Sequence, residues 1–164
     1  MYRFWRTIIK PVLKMVGAKS IVEIGAQNGY TTEKLIDYID YDGIVYSIDP
    51  FPMFDYELWE KKFDGIFKMQ VGLSLDVLPY IPASDVYLID GDHNWYTVYN
   101  ELKYISKICV CKAPVIILHD VSWPYERRDL YYNPENIPAE YINKYEKKGI
   151  EYGRSKLDAN GING

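Results

Sequence analysis

IVEIGAQNGYTT, at residues 21–32, combines a short run of β-branched residues, a turn with two glycines and the start of a helix. In an open α/β sheet, the turn after the first strand is where nucleotide-like ligands bind. A dinucleotide fingerprint needs G-x-G-x-x-G so that backbone amides can approach a pyrophosphate. Here Gln27 and Tyr30 stand at the second and third glycine positions, which argues against a pyrophosphate ligand.

The remaining pattern is E-x-G-x-x-x-G, in which Glu23 lies inside the strand run and Gly25 and Gly29 are four residues apart. A cofactor with a cationic amino-acid end and no phosphate favours a carboxylate there, and S-adenosylmethionine (SAM) has both properties. Asp49 closes the next strand run, where a carboxylate can accept hydrogen bonds from both hydroxyls of a ribose. The pattern predicts SAM binding. The alternative is that the glycines only permit a tight turn and that Asp49, followed by Pro50, caps the next element.

Short apolar runs alternate with longer segments of helical periodicity along most of the chain. The strand runs are 20–25, 43–49, 65–71, 85–90 and 113–119, and the helical segments are 32–39, 56–63, 74–78 and 95–109. Runs that are apolar throughout are typical of strands covered on both faces. This rhythm predicts an α/β fold with a doubly wound, mostly parallel sheet and helices on both faces. Because five parallel strands are an incomplete version of this fold, we expect a chain truncated at its C-terminus.

Length and charge limit the domain count and the partners. The 164 residues suffice for one hydrophobic core. We predict one SAM-binding domain over 1–164, with a helical cover at 1–18 that Pro11 should end or kink, a core at 20–120 and an aromatic segment at 121–164. A net charge of -4 with scattered basic residues argues against nucleic acid, and no apolar run approaches the roughly 20 residues that cross a bilayer. We therefore expect a cytoplasmic protein without membrane or nucleic-acid partners.

Residue counts add two further expectations. The 17 tyrosines exceed what such a core buries, so some should line a groove or an interface, and association with further copies of the chain stays open. The two cysteines, Cys109 and Cys111, are too few for a disulfide framework or a four-ligand zinc site. We interpret them as packing residues.

Acidic residues and both histidines of the chain cluster at the ends of two strand runs. One run ends in Asp90-Gly-Asp-His93 and the other in His119-Asp120. The carboxyl ends of neighbouring parallel strands converge over the ligand crevice, so these side chains could meet there. Clustered carboxylates need a cation, and this set suits Mg²⁺ or, because of the imidazole, Mn²⁺ or a softer ion. The alternative is that the aspartates are strand-end caps, with His93 opening a helix and His119 half-buried.

The segment VSWPYERRDLYY, residues 121–132, follows the second cluster and is rich in rings and charge. Loops at this end of such a sheet carry substrate contacts. A sugar or aromatic acceptor could stack on Trp123 or Tyr125, and we also count Arg127 among the candidate substrate residues. A protein interface built from the same rings is the alternative.

Four strings, VEIGAQNGYTT, YSIDPFP, YLIDGDHNWYTVYNEL and ILHDVSWPYERRDLYY, resemble the class I SAM methyltransferases of the methyltransferase-24 type. The relatives of that type include the macrocin and mycinamicin sugar O-methyltransferases and the cephalosporin hydroxylase-like proteins. The resemblance runs from about Ile21 to the C-terminus. It implies a SAM-dependent methyltransferase in which Asp90 and Asp120 hold Mg²⁺ and His93 is the base. His119 departs from the pattern, since the relatives carry Glu there, and this puts metal identity and metal dependence in question.

Two functional hypotheses follow. The first is metal-assisted O-methylation of a hydroxyl on a small molecule or sugar, with His93 as base and a cation held by Asp90, His119 and Asp120. The expected cofactor contacts are Glu23, Gly25, Gln27, Gly29, Asp49, Leu73, Ser74 and Asp90, with Leu73 or Ser74 near the adenine. The second hypothesis is a non-catalytic SAM-binding or assembly domain whose tyrosine-rich surface docks a partner enzyme.

Overall fold

The fold is organised around parallel strands. The computed structural model describes residues 1–93 and 95–120. The strands of this part are β1 (Ser20–Ile24), β2 (Ile44–Asp49), β3 (Phe67–Val71), β4 (Val86–Ile89) and β5 (Val115–Leu118). They form a sheet in the order β3-β2-β1-β4-β5 in which all neighbouring pairs are parallel. Each strand lies inside the run predicted for it, and the doubly wound α/β class is confirmed.

Helices connect the strands, as parallel pairing requires. The α-helices of the described residues are α1 (Lys10–Val16), α2 (Tyr30–Ile39), α3 (Tyr56–Lys62), α4 (Ser74–Val77) and α5 (Trp95–Ile108), and short 3-10 turns lie at Tyr2–Phe4 and Leu78–Tyr80. Pro11 lies in the first turn of α1, where a missing N–H breaks no helical hydrogen bond, and a π-helical turn at Trp5–Ile9 precedes it. The helical backbone continues past this proline to Val16, so no helix end lies there, and the predicted kink stays a prediction.

The apolar core includes strands β1 and β4 at the middle of the sheet. Ile21 of β1 and Leu88 of β4 are fully buried, as expected for strands covered on both faces, and Leu35 of α2 is buried in the same cluster. Ile9 and Leu13 of the N-terminal segment belong to this cluster as well. The N-terminal helical cover predicted from the sequence thus packs on the core.

The chain divides into two compact units. The first comprises Met1–Gly91 and Tyr104–His119 and contains the whole sheet; the second comprises Asp92–Lys103 and the chain from Asp120 onward. The single domain over 1–164 stays a prediction. Among the described residues, none of the helices has both the length and the apolar character needed to cross a bilayer.

At the amino end of the sheet, Asp85 ties three segments of the first unit together. Its Oδ2 accepts hydrogen bonds from the backbone amides of Lys19 and Ser20 at 3.0 and 3.1 Å and from the Ser20 hydroxyl at 3.0 Å. Its Oδ1 lies 2.7 Å from Lys112 Nζ. The Lys112 ammonium and these donors favour the ionised form and hold the pKa of Asp85 well below its usual range.

Inside the sheet, Glu23 joins β1, β2 and α2. Its side chain is buried, and Oε2 accepts hydrogen bonds from the hydroxyls of Thr32 at 2.6 Å and Ser47 at 2.7 Å. Burial raises the pKa of Glu23 to about 7, against the opposing effect of the two hydroxyl donors, and the Asp90 carboxylate adds to the rise. A carboxyl group thus occupies the core directly beneath the glycine turn.

We expect Glu23→Gln to stabilise the protein at pH 8. Because the folded pKa lies above the ordinary value, the contribution of Glu23 to stability is present at low pH and is lost as the pH rises through about 7. A neutral amide can still accept from both hydroxyls, so the gain at pH 8 should be on the order of 1 to 3 kcal/mol and should shrink toward pH 5. Urea unfolding at both pH values measures this. Equal destabilisation at pH 5 and pH 8 would contradict the buried-acid interpretation.

Asp85→Asn is expected to act in the opposite direction. The lowered pKa means that Asp85 stabilises the fold above its ordinary pKa and that this contribution is lost as the pH falls below it. The substitution should cost about 1 to 3 kcal/mol at pH 7, since an amide replaces a charged acceptor of several hydrogen bonds. Urea unfolding at pH 7 and pH 3 compares the two proteins. A variant as stable as the parent at pH 7 would show that Asp85 does not hold the sheet end.

Candidate cofactor and metal site

One row of residues crosses the carboxyl edge of the sheet. In sheet order from β3 to β5 its members are Val71, Asp49, Gly25, Asp90 and His119. Backbone hydrogen bonds between adjacent strands fix this alignment. Gly25 N–H donates to the Ile48 carbonyl at 2.8 Å, Asp90 N–H to the Ile24 carbonyl at 2.9 Å and His119 N–H to the Ile89 carbonyl at 2.9 Å. Neighbouring strands lie about 4.8 Å apart. The register therefore brings Asp49, Gly25, Asp90 and His119 to a single edge.

The strand order reverses between β1 and β4, and Gly25 lies at this switch point. Its φ is +93°, and a Cβ built on it would lie 2.3 Å from the backbone oxygen of Asp90. No side chain fits there, so two backbones meet at the base of the crevice. Open α/β sheets bind ligands at such a switch point.

Gly29 closes the turn and begins α2. Its φ is +76°, and a Cβ on it would lie 3.0 Å from the ring of Phe54. Its N–H donates to the carbonyl of Ala26 at 2.8 Å. The turn is thus packed against the loop after β2.

Asp49 holds both loops at this edge. Its Oδ2 accepts from the backbone amide of Gln27 at 2.8 Å, and its Oδ1 accepts from that of Phe51 at 2.7 Å. The Gln27 carbonyl in turn accepts from Met53 N–H at 2.7 Å. A carboxylate can accept about four hydrogen bonds, so after these two contacts it has capacity for two more, as from ribose hydroxyls. The predicted ribose role stays a prediction, and the structure adds a loop-fixing role to it.

The remaining predicted cofactor residues lie at different depths. The buried Glu23 carboxyl group accepts hydrogen bonds from the Thr32 and Ser47 hydroxyls, so its contacts lie within the core below the glycine turn. Leu73 and Ser74 are half-buried at the start of α4, just beyond the carboxyl end of β3. Their predicted adenine contact, like the cofactor role of Glu23, stays a prediction.

Asp90 and His119 form a close pair in the first unit. Asp90 Oδ1 lies 2.9 Å from His119 Nδ1, and the two side chains are 21% and 14% exposed. The other oxygen of Asp90, Oδ2, contacts the ammonium group of Met1. An imidazole nitrogen and a carboxylate thus meet at the ends of β4 and β5, and these donor types can hold a divalent metal.

His93 and Asp120 form a second pair, within the second unit. His93 Nε2 lies 3.6 Å from Asp120 Oδ2, and Asp120 has a φ of +55°. Nearby in sequence, Asp92 Oδ2 accepts from the Thr97 hydroxyl at 2.8 Å and joins the segment before α5 to its first turn. Each predicted metal or base residue is therefore paired with one other member of the predicted set.

The N-terminal segment also reaches this edge, which sequence reasoning missed. The ring centroids of Phe4 and His119 lie 5.7 Å apart, and the ring centroids of Tyr2 and Tyr30 lie 5.8 Å apart. The sequence holds no signal for these contacts, because nothing in residues 1–18 specifies which part of the sheet they cover. Ser47 was also missed, although a hydroxyl in a buried apolar strand was a usable signal. The predicted substrate residues Trp123, Tyr125 and Arg127 lie outside the described residues.

Comparisons with known proteins agree with this architecture. A family described as a methyltransferase domain, methyltransferase 24, matches residues 22–121. An O-methyltransferase from Bacillus cereus in complex with S-adenosylhomocysteine is similar, with 19% identity, a TM-score of 0.56, and coverage of 84% of this chain and 63% of that one. A methyltransferase from Podospora anserina with S-adenosylhomocysteine bound has 15% identity, a TM-score of 0.60, and coverage of 98% and 76%. Likeness at these identities establishes the fold.

A third similar structure is an O-methyltransferase from Streptomyces achromogenes involved in tomaymycin synthesis, in complex with SAM. It has 18% identity, a TM-score of 0.55, and coverage of 84% of this chain and 64% of that one. This chain spans less than two thirds of the Bacillus and Streptomyces proteins. No protein of curated function matches the sequence. Since the family match extends over more than half of its residues, the chain belongs to the methyltransferase-24 family of class I SAM-dependent methyltransferases.

Proposed function

We propose that this protein binds SAM and transfers its methyl group to a hydroxyl of a small molecule or sugar, with assistance from a divalent cation such as Mg²⁺ or Mn²⁺. The observation that carries the proposal is the backbone approach of Gly25 to Asp90 at the switch point, where a Cβ on Gly25 would lie 2.3 Å from the Asp90 carbonyl oxygen. Open α/β sheets bind nucleotide-like ligands at this place. The expected cytoplasmic location and the absence of nucleic-acid and membrane partners remain predictions.

The glycine turn suits a cofactor without phosphate. Gln27 occupies the place where a dinucleotide site needs glycine, and its amide and carbonyl are already bound by Asp49 and Met53. That amide is therefore committed and does not face an incoming pyrophosphate. Asp49, with acceptor capacity left, would bind the ribose, and Gly25 and Gly29 would give close backbone approach to the amino-acid end.

The paired residues suggest how an acceptor hydroxyl is activated. Asp90, His119 and Asp120 would hold the cation, which when bound would supply positive charge beside the acceptor oxygen. His93 would remove the hydroxyl proton, and the Asp120 carboxylate, 3.6 Å from its Nε2, can stabilise the charge that the imidazole gains. Trp123, Tyr125 and Arg127 are the proposed acceptor contacts. Much of the rate would come from holding the oxygen in line with the methyl group.

Gly25→Ala should abolish or greatly weaken SAM binding. The new methyl group would lie 2.3 Å from the Asp90 carbonyl and would force the turn away from β4, so we expect a loss of at least about tenfold in affinity by calorimetry. Gly65→Ala is the matched control, because Gly65 has a φ of +78° but nothing within 4 Å of its added Cβ. It carries the same backbone strain away from the crevice and should bind SAM like the parent. Equal affinity in all three proteins would place the cofactor elsewhere.

His93→Gln should lower methyl transfer without weakening SAM binding. Removal of a general base costs roughly 10²- to 10⁴-fold in rate. The measurement is release of S-adenosylhomocysteine with a panel of hydroxylated sugars and phenols, alongside SAM calorimetry. If the parent protein binds SAM but turns over none of the panel, the non-catalytic SAM-binding alternative is favoured.

A further inference from the structure

We infer that His119 makes this site selective for a transition-metal ion over Mg²⁺, through an N,O-chelate formed with Asp90. The inference rests on the proposed function, because it concerns the cation of the same site. It deepens that proposal by assigning the ion class to named atoms of this chain.

The first argument is the distance between two ligand atoms. His119 Nδ1 and Asp90 Oδ1 are 2.9 Å apart. Adjacent ligands of an octahedral ion with bonds of about 2.1 Å lie roughly 3 Å apart. The pair therefore has the spacing of one edge of a coordination shell.

The second argument is how the pair is held. The backbone N–H of His119 is bonded to Ile89 at 2.9 Å, and Asp90 N–H is bonded to Ile24 at 2.9 Å, so both residues are fixed by the sheet. The Phe4 ring, 5.7 Å from the imidazole, packs beside the His119 ring, and Phe4 is itself covered by the Arg3 guanidinium at 4.8 Å. A ligand pair held by strands and packing favours the ion that fits its geometry and donor type.

Donor chemistry then decides the ion class. Mg²⁺ prefers an all-oxygen octahedron and keeps its water, whereas imidazole nitrogen raises affinity for Mn²⁺, Co²⁺ and later ions. With an imidazole as one of two chelating atoms, the order should be Co²⁺ above Mn²⁺ above Mg²⁺. In His119→Glu, both chelating atoms of the pair with Asp90 would be carboxylate oxygens, and the preference for transition-metal ions should be lost.

The test is direct metal binding by the full chain in the absence of SAM and acceptor. Mn²⁺ affinity is measured from the electron paramagnetic resonance signal of the free ion, and Mg²⁺ affinity is measured by its competition with bound Mn²⁺. Pulsed electron paramagnetic resonance on the bound Mn²⁺ detects nitrogen ligation. We expect the parent protein to prefer Mn²⁺ over Mg²⁺ by more than about tenfold, with nitrogen coupling present. His119→Glu should reduce that preference to near unity and weaken the nitrogen signal.

A second variant and a parallel titration keep the result interpretable. His119→Gln, which removes the imidazole at similar volume, should lose Mn²⁺ affinity, and circular dichroism checks the folding of both variants. Failure of Mn²⁺ to bind the parent, or a preference for Mn²⁺ over Mg²⁺ that is unchanged in His119→Glu, overturns the inference. SAM calorimetry on the same metal-free samples tests the proposed function separately, because absent SAM binding would refute that function whatever the metal preference.

Discussion

The parallel register of β1 with β2 and β4 is the constraint on which the site depends. Ile24 pairs with Ile48 on one side and with Ile89 on the other, so the next residue of each strand falls in the same row. That row contains Asp49, Gly25 and Asp90. A slip of one residue would send each side chain to the opposite face and would separate the carboxylates from the glycine turn. The chemistry proposed for this protein is thus a consequence of strand alignment.

Most of the fold could be predicted from the sequence, because its strands are apolar throughout and its helices are periodic. The five strand runs and the glycine turn carried this information locally. The convergence of Asp90 and His119 was also predictable, since both end neighbouring strands. What the sequence could not specify was long-range side-chain contact. The hydroxyls of Thr32 and Ser47 on Glu23, and the ring of Phe4 beside His119, depend on packing between segments distant in the chain.

Glu23 shows why an acidic residue in the turn motif has two interpretations. The sequence suggested a carboxylate that meets the cofactor's positive end. In the fold it is a buried acid whose pKa of about 7 results mainly from desolvation, with a contribution from Asp90. Both interpretations concern the same electrostatic environment, because a cation bound near Asp90 would favour the ionised form of Glu23. The core beneath the turn and the edge above it are therefore electrostatically linked.

Asp85 lies at the other end of the same strands, where it fastens β1 and the chain around Lys112 with both of its oxygens. The contacts of Asp85 thus hold the strands at their amino ends, while the candidate site lies at their carboxyl ends. Substitutions at the carboxyl edge can therefore change ligand choice while the opposite terminus keeps the strands aligned. The alignment of the strands therefore does not rest on the donor atoms at the carboxyl edge, so those donors can change in kind while the register is kept.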